Sequence, residues 1–89
     1  MAASRKAAIN WEAFARSQAH PLKLRIVDMF GTGEEFSPMM LHTELGDPLG
    51  NVSYHVRALL DAGLIELVRT EPRRGAIEHF YRASAALLS

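Results

Sequence analysis

The chain has 89 residues, a mass of 9.9 kDa and no cysteine, which leaves room for one small domain and excludes a disulfide framework, a thiolate metal site and a cysteine nucleophile. With 48% hydrophobic and 22% charged residues it has ordinary globular composition; no apolar run is long enough to span a bilayer, and none follows Arg5 and Lys6 to form a signal peptide. The formal net charge is zero but segregated: Arg5, Lys6, Arg16, Lys23 and Arg25 against Glu12 give residues 1–27 a net +4, whereas Asp28, Glu34, Glu35, Glu44 and Asp47 give residues 28–47 a net −5. Charge acts locally, within about 8 Å at physiological salt, so neutrality alone does not exclude a polyanionic partner.

A single domain is expected over 1–89, with residues 1–6 frayed. Ile9, Trp11, Phe14 and Ala15 recur at helical spacing and predict a helix over 7–18. His20-Pro21 breaks and restarts the chain. Leu22, Leu24, Ile26, Val27 and Phe30 then predict a second helix that stops at Gly31-Thr32-Gly33. Ser37-Pro38 is a start signal, an N-cap oxygen followed by proline at the first helical position, and Leu41 and Leu45 face inward before Gly46 ends this short helix. Asp47-Pro48 repeats the start signal at once. Helices joined so tightly must cross steeply, which is the helix-turn-helix arrangement, and they place a fourth helix over 48–62.

On a wheel of about 100° per residue, Val52, Val56, Leu59 and Leu60 of that fourth helix share one arc. Gly50, Asn51, Tyr54, Arg57, Ala58 and Asp61 fall opposite, an outward stripe of amide, phenol and guanidinium instead of the usual Glu/Lys mixture. Ala62-Gly63-Leu64 closes the helix. Residues 65–70 and 77–82 read as two strands joined by a charged turn over 71–75, a hairpin that must rest one face on the helices. Residues 83–88 read as a last helical turn in which Leu87 and Leu88 have little of their own chain to bury against. Met29, Met39 and Met40 read as packing material.

The order of helix, helix, short helix, turn, longer helix and two-stranded wing is that of a winged helix-turn-helix: mainly α with a small β-hairpin, a three-helix core plus wing, and an extra N-terminal helix. Four segments resemble the ArsR type of bacterial transcriptional regulator: 19–26, 41–46, Gly50-Asn51-Val52-Ser53-Tyr54-His55-Val56-Arg57-Ala58-Leu59 with Asp61-Ala62-Gly63-Leu64-Ile65 after it, and the wing from Arg73-Arg74-Gly75 to Tyr81-Arg82. The likeness covers about residues 19–82. It implies sequence-specific binding of double-stranded DNA by a cytoplasmic homodimer, most simply a repressor on an inverted repeat. Two features depart from the family. Leu41 and Thr43 stand where metal-sensing members carry cysteines, so metal-triggered release is not implied and no cofactor is expected. The residues after Tyr81 are fewer than the family's terminal dimerisation helix needs, which shifts the expected dimer contact toward Trp11 and Phe14, with Leu87 and Leu88.

Under this reading Gly50, Asn51, Ser53, Tyr54 and Arg57 meet base edges and flanking phosphates in the major groove. Arg69, Arg73 and Arg74 are expected at the wing tip on a minor groove or backbone, and Ser37 at a helix start on a phosphate. His20, His42, His55 and His79 share no ligand spacing, so no metal site is expected, and no nucleophile and base stand at catalytic spacing, so no enzyme is expected. Two alternatives stay open: a winged-helix module that docks a protein, and an architectural DNA-binding protein of low sequence preference.

Overall fold

The computed structural model describes residues 21–88. Three helices, α1 (Pro21–Phe30), α2 (Pro38–Leu45) and α3 (Leu49–Asp61), precede an antiparallel hairpin of β1 (Ile65–Arg73) and β2 (Ala76–Ala83) and a terminal turn α4 (Ala85–Leu88). This is a winged helix-turn-helix. The expected helix over 7–18, with Trp11 and Phe14, lies outside the described residues.

Each helix delivers an inward stripe at 3.6-residue spacing. Leu22, Ile26 and Phe30 of α1, Leu41 of α2, and Val52, Val56 and Leu59 of α3 meet Ile65, Tyr81 and Ala83 of the hairpin in one core. Full burial of an aliphatic or aromatic side chain is worth about 1.5–3 kcal/mol, so these few residues carry most of the cohesion. Phe36 closes the core edge-on to Phe30, with ring centroids 5.7 Å apart. Of the methionines, Met29 packs against the core, whereas Met39 and Met40 are exposed.

The two helix starts differ. Ser37 caps α2 as expected, its hydroxyl accepting from the Met40 amide at 3.1 Å, and Gly46 ends the helix at φ 76°. Pro48, not Asp47, is the N-cap of α3, and no side chain caps it. The Asp47 carboxylate instead takes Arg25 of α1 at 2.9 Å. The three residues between α2 and α3 are further held by His42, whose Nδ1 donates to the Asp47 carbonyl at 2.6 Å, since a carbonyl can only accept.

The strands run further than the expected turn allowed. Arg73 pairs with Ala76, which leaves a two-residue turn of Arg74 (φ 50°) and Gly75 (φ 81°), the paired positive values of a type I′ hairpin. Pro72 sits inside β1 opposite Ile77; each strand of a two-stranded sheet has an unpaired edge where a missing N–H costs nothing. A bulge between Leu67 and Arg69 shifts the register. Backbone groups help fasten the wing to the body: Phe36 and Tyr81 exchange both backbone hydrogen bonds at 2.9 Å, and Ser84 donates from its amide to the Leu64 carbonyl and from its hydroxyl to that of Gly63. Leu87 packs against the core, which corrects the expectation that it had little to bury against; Leu88 is exposed.

Candidate nucleic-acid interface

Packing of Val52, Val56 and Leu59 fixes the roll of α3 and thereby turns Gly50, Asn51, Ser53, Tyr54 and Arg57 to the exposed side. Tyr54 is 71% exposed and the Arg57 side chain 72%. His55 is buried on the opposite side of this boundary and meets the Tyr54 ring edge-on, with centroids 5.3 Å apart. Among the described residues Arg57 makes one ion pair, a long contact of 3.9 Å to Asp61 one turn along, and its side chain stays solvated. Among the described residues a Cβ on Gly50 would meet nothing within 4 Å beyond the adjoining helix backbone, so it faces open space at the start of the helix.

An open groove of about 770 Å³ separates α3 from the wing. Leu49, Ser53, Val56 and Arg57 line it from the helix, and Arg73, Arg74, Ile77 and His79 line it from the hairpin. Ile77 is 62% exposed although apolar. The structure thus brings Ser53 and Arg57 of α3 and the two arginines at the hairpin end onto one concave surface, while Gly50, Asn51 and Tyr54 are exposed on α3 outside that groove.

The remaining expected site residues fall elsewhere. Arg69 is not at the tip: the bulge pairs it with Phe80, and its guanidinium lies 3.9 Å from the centre of that ring. It also donates to Glu35 at 2.9 Å and pairs with Glu71, and the Glu35 hydrogen bond above all raises its pKa and holds it charged. Ser37, expected on a phosphate, is fully buried; its hydroxyl accepts from Met40 and donates to the Glu78 carboxylate, which leaves it no outward face. Trp11 and Phe14 lie outside the described residues.

Glu78 is the functional candidate that sequence reasoning missed. Its carboxylate accepts from the Ser37 hydroxyl and from Arg73 Nη1 at 3.0 Å, and these two, the Ser37 bond first, hold its pKa below the usual carboxylate range. The signal was a lone acid two positions beyond the residue that pairs with Arg73, the diagonal neighbour within reach of long side chains. Among the described residues no group of three or more His, Asp or Glu is placed to hold a metal ion, and no helix is long and apolar enough to cross a membrane.

A family model described as a helix-turn-helix domain matches residues 19–68. Among solved structures, the fold is similar to the M. tuberculosis protein Rv0081, at 22% identity and a TM-score of 0.60, with 85% of this chain and 72% of that chain covered. It is similar also to the transcriptional repressor BigR from Xylella fastidiosa, at 25% identity and a TM-score of 0.57, with 91% of this chain and 74% of that chain covered. No curated protein matches the sequence.

Proposed function

Because the chain belongs to the helix-turn-helix domain family, a DNA-binding class, we propose that it is a sequence-specific transcriptional regulator of the ArsR type, acting as a repressor. The observation that carries this reading is the exposed polar side of α3, whose Ser53 and Arg57 face the wing arginines across an open groove. In the proposed complex α3 enters the major groove, where Asn51 and Tyr54, nearest its N-terminal end, read base edges. Ser53 and Arg57 hold the flanking backbone, and the bare Gly50 lets the helix start approach it closely. Arg74 reaches phosphate from the turn. The similarity to a transcriptional repressor supports repression by occlusion of a promoter.

The chain works, on this reading, as a cytoplasmic homodimer without catalytic activity, whose two α3 helices meet half-sites about one helical turn apart. Trp11, Phe14 and the exposed Leu88 are the proposed contact residues, Leu87 being mostly spent on its own core. The test is a selection of bound sequences from a random duplex pool, followed by fluorescence anisotropy over a salt series. An inverted repeat bound with a steep salt dependence supports the reading. A pool that returns no motif but binds with salt sensitivity makes the protein architectural, and absence of salt-sensitive binding makes it a protein-docking module.

A further inference from the structure

We propose that Glu78 is a positioning residue of this interface: by holding Arg73 it leaves the wing tip one phosphate-seeking guanidinium, Arg74, and so limits the phosphate-driven affinity for DNA of any sequence. The inference rests on the DNA-binding reading above. It starts from an asymmetry in the pair. The Arg73 side chain is 62% exposed, whereas that of Glu78 is 9% exposed. Arg73 is hydrated wherever it turns, but Glu78 is not.

A phosphate that drew Arg73 away would leave a nearly buried carboxylate with the Ser37 hydroxyl as its remaining hydrogen-bond donor among the described residues, and removing one partner of such a pair costs more than the pair is worth. Glu78 does not follow Arg73 outward either, because Ser37 is fully buried at the N-cap of α2 and tethers the carboxylate to the body. The negative charge therefore stays at the base of the wing, 3.0 Å from the cation it neutralises. Arg74 is different. It occupies the turn itself, is exposed, and makes no ion pair among the described residues.

Phosphate contacts carry no sequence information, so each wing cation withheld from them lowers binding to random and cognate duplexes alike while the base contacts of α3 are untouched. An arginine with its own carboxylate contributes less to this sequence-independent affinity than a free one, and the ratio of cognate to random affinity is left to the base contacts of α3.

The experiment titrates the full chain by fluorescence anisotropy with a random-sequence duplex and with the selected duplex, between about 50 and 200 mM salt. Glu78→Gln keeps an acceptor for Ser37 and removes the charge that holds Arg73. It is expected to tighten binding to the random and the selected duplex alike by several-fold, to steepen the slope of log K on log salt by up to about 0.9, and to leave the cognate-to-random ratio unchanged. Arg73→Ala alone is expected to leave the random-duplex slope unchanged, and in the Glu78→Gln background to abolish the gain. The proposal is overturned if Glu78→Gln leaves random-duplex affinity and slope unchanged or lowers them, as a purely structural role would, or if Arg73→Ala alone flattens the slope. Should Glu78→Gln not fold, the single Arg73→Ala result decides. Wild-type protein that binds neither duplex brings down the DNA-binding reading itself, an outcome distinct from a binding protein indifferent to Glu78.

Discussion

The Arg69 guanidinium lies 3.9 Å from the centre of the Phe80 ring, and this stacking explains why Phe80 is only 6% exposed although it is not part of the main core. Successive residues of a strand face opposite ways, so once Tyr81 turns to the helices Phe80 must turn from them. Arg69 covers it and is itself held by Glu35 and Glu71. The outer face of the wing is thereby roofed by a residue whose charge is already matched.

Arg69→Ala is accordingly expected to lower the thermal midpoint, because it bares Phe80 and releases two carboxylates, while leaving the salt dependence of DNA binding unchanged. Thermal denaturation and anisotropy on the same preparation separate the two effects. A flattened slope would return Arg69 to the phosphate contacts.

Ser37→Ala removes the cap of α2 and one of the donors to Glu78. A destabilisation of about 1–2 kcal/mol is expected from urea denaturation, the upper part of the range reflecting the carboxylate left behind. An unchanged midpoint would mean that the hydroxyl is not structural.

Glu78 also sets a pH dependence. Its folded pKa is depressed, so its contribution is present above the unfolded glutamate value of about 4.3 and is lost as pH falls through the lower folded value. Stability is expected to fall with acid over that window, and Glu78→Gln to flatten the fall. Equal pH dependence of the two proteins in urea titrations from neutral to strongly acidic buffer would contradict this.

On α3, Asn51→Ala and Tyr54→Ala each remove an exposed side chain with no part in the core. Stability should stay within about 0.5 kcal/mol of wild type, and binding to the selected duplex should weaken by about 1–3 kcal/mol with little loss on random DNA. Equal losses on both duplexes would demote either residue from base reading.

Arg74→Ala is expected to reduce the salt slope by about 0.9 on cognate and random duplexes alike, the mark of one lost phosphate contact. The hairpin should survive, since alanine replaces arginine at a positive-φ site that is unfavourable to both. A slope equal to that of wild type would leave the wing without a backbone contact.

The sequence by itself determined the elements whose signals are local. Ser37-Pro38 and Gly46 bound α2, the run from Val52 to Leu59 orients α3, and the β-formers on either side of Arg74-Gly75 make the hairpin, because caps, positive-φ glycine and side-chain periodicity act within a few residues along the chain. Strand length was less legible: Pro72 reads as a turn residue, and only its position on an open edge allows the ladder to continue past it. What the tertiary structure decided was the partnering of charge. The acidic stretch from Asp28 to Asp47 reads as a block, yet Asp47 is matched by Arg25, 22 positions away, and Glu35 by Arg69, 34 positions away. Ser37 reads as a free cap until Glu78 arrives from 41 positions downstream. No local rule reaches so far, since which cation neutralises which acid depends on the packing that brings their elements together.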